Sequence, residues 1–106
     1  MGTLSGKVAV ITGASSQGGI GRAIARKLAQ AGASLYLTAE GTQAQLQDGV
    51  RECRGLAPDN AARFEWGAHD LSQAGAAEAM IEHAVKLLER IDILVNNAGV
   101  RARMEF

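Results

Sequence analysis

The chain has 106 residues, enough for one small domain spanning 1–106, with a core and a high surface ratio. Its 11 basic and 11 acidic residues cancel, which removes the electrostatic case for nucleic acid, and no apolar run approaches membrane-spanning length. One cysteine, Cys53, leaves no disulfide and no cysteine metal cluster, and Met1 to Gly6 lacks the charged and apolar regions of a signal peptide, so a reducing cytoplasm is the expected setting.

Lys7-Val8-Ala9-Val10-Ile11-Thr12 has the length and β-branched content of a buried strand, and Gly13 ends it. After a glycine-rich turn, Arg22 to Ala31 reads as a helix with Ile20, Ala23, Ile24 and Leu28 on one face and Gly32 at its C-terminal cap. Ala33–Ala39 follows as a second strand. Thr42–Arg54 is predicted to be a second helix, with Leu46, Val50 and Cys53 as a sparse apolar stripe. Pro58, Asp59 and Asn60 mark a turn, and Arg63–Ala68 alternates like a strand near a sheet edge. A long helix comes next, N-capped by Ser72, with Ala77, Ile81, Ala84 and Leu88 inward and His83 on its exposed side. Asp92–Asn96 is a fourth strand, apolar on both faces as a strand covered by helices on each side must be. Strands alternating with helices predict a parallel sheet with right-handed crossovers.

The turn Thr12-Gly13-Ala14-Ser15-Ser16-Gln17-Gly18-Gly19-Ile20-Gly21 carries the chemistry. The first amides of a helix lack partners and the helix dipole leaves partial positive charge there, so a pyrophosphate can settle on them. Glycine removes the Cβ that would block the approach and permits positive φ. The competing reading is a tight strand-to-helix turn with no ligand.

On these residues, together with Ala31-Gly32-Ala33, Asp70-Leu71 and Asp92-Ile93-Leu94-Val95-Asn96-Asn97-Ala98-Gly99-Val100, the chain resembles the N-terminal half of a short-chain dehydrogenase/reductase, and is similar to the 3-oxoacyl-carrier-protein reductase branch. The resemblance implies a truncated Rossmann fold, α/β, with a parallel sheet of about four strands in the order 3-2-1-4 and helices on both faces. It implies an NAD(P)(H)-binding oxidoreductase that reduces carbonyl compounds or oxidises alcohols. Gly13, Ser15, Ser16, Gly19, Ile20 and Gly21 would lie around the phosphates. Asp70 would hold the adenine amino group, with Leu71 beside it, and Asn97 would sit under the adenosine ribose. Structural alternatives stand next to these roles: Asp70 capping a helix, and Asn96 and Asn97 tying the fourth strand to its neighbours.

Three departures from the family pattern shape the expectations. Gly13 and Gly19 enclose five residues where the family has three, so the turn should bulge around Gln17 and Gly18. At the end of the second strand Ala39 replaces the acid of NAD-binding members, which favours NADP(H) over NAD(H). Glu40 opposes a 2′-phosphate, and Arg22 is the nearest basic candidate to receive one. The family's Tyr-x-x-x-Lys pair is also missing: the one tyrosine, Tyr36, is followed four residues on by Glu40. His69, beside Asp70, is then the candidate proton donor, against the commoner reading of a lone histidine as surface or packing, and Arg101 and Arg103 are candidate carbonyl or substrate contacts, against the favoured reading of a solvated basic tail. No metal site is expected. The chain would act either as a minimal oxidoreductase on a small-molecule carbonyl or alcohol, or as a non-catalytic dinucleotide-binding module or a fragment of a larger or split reductase. An open fourth strand predicts a homo-oligomer, a dimer or a dimer of dimers.

Overall fold

A computed structural model describes residues 2–40 and 43–97. The elements are β1 (Val8–Thr12), α1 (Ile20–Gln30), β2 (Ser34–Ala39), α2 (Gln43–Leu56), β3 (Phe64–Ala68), α3 (Ala76–Leu88) and β4 (Ile93–Val95). All four strands are parallel, in the order β3-β2-β1-β4. This is the expected α/β architecture.

Every residue of β1 is buried, because its two faces serve different cores. Ala9 and Ile11 join Leu35, Leu37 and Phe64 against Ala25 and Ala29 of α1 and Leu46, Val50 and Cys53 of α2. Val8 and Val10 join Tyr36 on the opposite face, against Met80, Ala84 and Leu88 of α3. The continuous apolar run read in the sequence is therefore a strand sandwiched between helices. Among the described residues no helix is long and apolar enough to cross a membrane.

Four local expectations need correction. The buried face of α1 is Gly21, Arg22, Ala25 and Ala29, turned one position from the expected set, and Ile20 is 68% exposed. Small residues let the helix approach the sheet more closely than the bulkier stripe would. Ser72 does not cap α3: Asp70 Oδ1 accepts from the Ser72 amide at 3.0 Å and its hydroxyl at 2.6 Å, a local turn that competes with helix, and α3 starts later, after Gly75 at φ 81°. Ala77 is consequently exposed and Met80 takes the buried position. Finally, Leu94 of β4 is 54% exposed: among the described residues α3 packs over β2 and β3 and leaves that side of β4 uncovered.

Candidate dinucleotide site

Parallel strands bring the carboxyl ends of β1, β2, β3 and β4 to one edge of the sheet, the edge at which open α/β sheets hold ligands. Gly13 leaves β1 at φ 66°, a left-handed conformation suited to glycine. Three bonds fix the turn it opens: Asn97 Nδ2 donates to the Gly13 carbonyl at 3.2 Å, Ala14 N–H to Thr38 O at 3.2 Å, and Thr12 Oγ1 to Val95 O at 3.3 Å. Asn97 thus takes the structural role weighed for it, tying the end of β4 to the start of the turn.

Gly21 is where the turn folds back on the helix. A Cβ there would stand 2.5 Å from the Gly13 carbonyl oxygen and 2.9 Å from its carbon, so only glycine allows this approach. Gly19, in extended conformation (φ −84°, ψ 165°), is the N-cap of α1. No side chain caps the helix and no acid lies in its first turn, so the amides of Ile20, Gly21 and Arg22 begin the helix without an intrahelical acceptor. Ser15 is half-buried, whereas Ser16, Gln17 and Gly18 are exposed. The geometry offers an anion seat: amides without an intrahelical acceptor, a favourable dipole and no acid in the first turn of α1.

At the far side of the edge, Asp70 follows β3. Its bonds from the Ser72 hydroxyl, and next from the Ser72 amide, hold its carboxyl below the usual range, so it is an acceptor at neutral pH. It therefore caps a turn rather than a helix. Leu71 packs against the α3-side core.

His69 precedes Asp70 and is engaged. The Tyr36 hydroxyl lies 2.9 Å from His69 Nε2 and 2.6 Å from His83 Nδ1. Tyr36 is wholly buried, and burial pushes its phenol up to about 12. Burial, and then the nearby His83, lower the pKa of His69. His83 is accordingly not on an exposed helix side but reaches the sheet. Gly67 makes room for the cluster, since a Cβ there would collide with the Tyr36 hydroxyl. The signal that could have revealed it is Tyr36 itself, a phenol in a predicted central strand, which needs a hydrogen-bond partner once buried.

Arg22 is not available to a 2′-phosphate. It is 1% exposed and bonds to Asp48, Glu52 and three carbonyls, which corrects its place as the nearest basic candidate. Arg101 and Arg103 lie outside the described residues.

A strand, a glycine turn folded onto an uncapped helix and parallel strands ending at one edge define a Rossmann-like, dinucleotide-binding type of fold. The short chain dehydrogenase family model matches residues 7–106, and the chain belongs to that family. It is 43% identical over 94% of its length to an uncharacterized oxidoreductase of Methylorubrum extorquens, covering 38% of that protein. It is 42% identical over 97% of its length to the hydroxyacyl-CoA dehydrogenase ChsB1 of Mycobacterium tuberculosis, covering 32% of it. With the 3-oxoacyl-[acyl-carrier-protein] reductase FabG of Aquifex aeolicus the figures are 39% identity, 92% of this chain and 37% of the relative. Among solved structures, carveol dehydrogenase from Mycobacterium avium, in complex with NAD, superposes with a TM-score of 0.78 at 28% identity, over 92% of this chain and 37% of its own. The chain thus spans between 32% and 38% of the length of these proteins.

Proposed function

We propose that this chain binds NAD(P)(H) across the carboxyl ends of its strands and forms the cofactor-binding part of an oxidoreductase that interconverts carbonyl and alcohol groups. The close approach of Gly21 to the Gly13 backbone, in front of an α1 terminus that no side chain of the described residues caps, carries this reading. The NAD complex of the carveol dehydrogenase neighbour and the names of the dehydrogenase and reductase relatives support it. In this reading Gly13, Ser15, Ser16, Gly19, Ile20 and Gly21 surround the phosphates, Asp70 accepts from the adenine amino group with Leu71 beside it, and Asn97 lies under the adenosine ribose.

Asp70 follows β3, so this reading puts adenine at the β3 side and hydride transfer toward β4, at the opposite edge of the sheet. His69 then belongs to the adenine end and is not retained as the proton donor. Tyr36, buried and without a lysine four residues on, does not replace it. These facts favour the second reading for the residues in hand, a dinucleotide-binding module whose proton transfer is supplied from elsewhere. Any turnover of the chain alone is then expected to be about a hundred- to ten-thousandfold below that of an enzyme with a tuned acid. The preference for NADP(H) now rests on Ala39, where an acid would otherwise oppose the 2′-phosphate. The β4 edge, exposed at Leu94 among the described residues, is assigned to a second copy of the chain, and a monomer across a light-scattering concentration series would refute that assignment.

Fluorescence titration with NADPH and NADH tests the whole. In Gly19→Val the added Cβ lies 3.3 Å from its nearest neighbour, Ser16 O, so the fold should persist while the side chain blocks the phosphate path. Unchanged affinity in this variant would overturn the placement. NAD(P)H oxidation over a panel of carbonyl compounds separates the catalytic reading from the binding module.

A further inference from the structure

The buried guanidinium of Arg22 has five N–H donors, and the structure engages all of them. Nε donates to Ala14 O at 3.0 Å, and Nη2 to Ser15 O and to Gln45 O, each at 2.8 Å. Nη1 meets Asp48 Oδ2 at 3.2 Å and Glu52 Oε1 at 3.1 Å. One turn along α1, Arg26 repeats the pattern: Nη2 donates to Gln17 O at 2.8 Å, and Nε to Glu52 Oε2 at 2.9 Å. Glu52 of α2 therefore spends one carboxylate oxygen on each arginine. The Arg26 bond is the main reason its carboxyl stays below the usual range.

The consequence for the turn follows from peptide geometry. In a planar trans peptide the carbonyl of one residue and the amide N–H of the next point in opposite directions. Holding the carbonyls of Ala14, Ser15 and Gln17 toward the arginines directs the amides of Ser15, Ser16 and Gly18 away from them. The Gln17 contact falls in the stretch that exceeds the family spacing, so Arg26 anchors the part of the turn that a shorter loop would not contain.

We propose that Glu52 is a positioning residue for the phosphate-binding turn: it gathers Arg22 and Arg26, which aim the turn's amides outward at a pyrophosphate. The proposal rests on the NAD(P)(H) reading for its ligand, but not for its geometry. Glu52 touches no residue assigned to the cofactor and acts through the arginines.

Glu52→Gln keeps the shape and removes the charge and one acceptor. NADPH and ADP are expected to bind about tenfold more weakly, as for loss of one charge-assisted hydrogen bond, while adenosine, which has no phosphate, keeps its affinity. Arg26→Gln should show the same split and leaves every Arg22 bond available, which keeps the test open if Glu52→Gln folds poorly. Equal losses for ADP and adenosine would reduce Glu52 to a general stabilising role and overturn the proposal, as would no loss at all. A ligand-free readout separates it from the cofactor reading: NMR amide shifts of Ser15, Ser16 and Gly18 should move in both variants. A wild-type protein that binds no NADPH while those shifts respond would refute the cofactor and leave the clamp; unmoved shifts would refute the clamp.

Discussion

Replacing Gly21 by alanine should damage this protein far more than replacing Gly18, three residues earlier in the same glycine cluster. At Gly21 the new Cβ meets backbone, 2.5 Å from Gly13 O and 2.9 Å from Gly13 C. Comfortable non-bonded separation begins near ~3.5 Å, so the carbonyl or the helix must yield by about 1 Å. Overpacking of this kind costs roughly 1–3 kcal/mol. Moving the Gly13 carbonyl also strains its bond from Asn97, worth about 1 kcal/mol, while the better helix propensity of alanine returns up to ~1 kcal/mol. The net expectation is a loss of about 1–3 kcal/mol, a fall in Tm of roughly 5–20 °C for a domain of this size. At Gly18 nothing lies within 4 Å of the added carbon, so Gly18→Ala should stay within about 0.5 kcal/mol of wild type. Differential scanning fluorimetry of the two variants side by side is sufficient. Equal melting temperatures would mean that the turn does not fold onto α1 as described, and the geometric basis of the phosphate seat would go with it.

Thr38 is 1% exposed, and its hydroxyl has no hydrogen-bond partner among the described residues; Thr38→Val, similar in shape, should stabilise by about 1 kcal/mol, and a lower denaturation midpoint would show that the hydroxyl is satisfied after all. Acid should act in two windows. His69 has a native pKa below the ordinary imidazole value, so its contribution is complete above about pH 6.5 and is lost as pH falls toward the native value; His69→Gln should remove that first step from a plot of Tm against pH. The carboxyl of Asp92 is held low by Arg90 first and then by the Val8 amide, and that of Glu52 by Arg26, so their contributions persist through neutrality and fade as pH drops below about 4. A melting temperature that stays level from pH 8 to pH 3 would contradict both assignments.

The positions of the strands, the glycine turn and the sparse stripe of α2 were legible because each rests on a local rule: β-branched runs make strands, clustered glycines make a close turn, and Leu46, Val50 and Cys53 recur on one side of a helix; the strand order, which no local rule sets, came from the family resemblance. The face of α1 was not, because hydrophobicity pointed to Ile20 and Ile24, while the packing is decided by the need of Gly21 to touch Gly13, a contact between residues in different elements. The start of α3 was missed because Asp70 spends its carboxylate on Ser72, and a three-residue competition between turn and helix leaves no trace in periodicity. Arg22 read as the nearest basic candidate for a 2′-phosphate because only the fold shows that Asp48 and Glu52, far along the chain, stand ready to neutralise it.

The Tyr36 hydroxyl between two imidazoles imposes a rule of proton counting. A phenol has one hydrogen to give and can serve one ring as donor, so it must accept from the other. If it gives to Nε2 of His69, that ring carries its own hydrogen on Nδ1, and His83 must present Nδ1–H to the phenol. If it gives to Nδ1 of His83, both rings carry hydrogen on Nε2 instead. Two neutral rings are therefore tautomers of the same kind, and they can exchange kind only together.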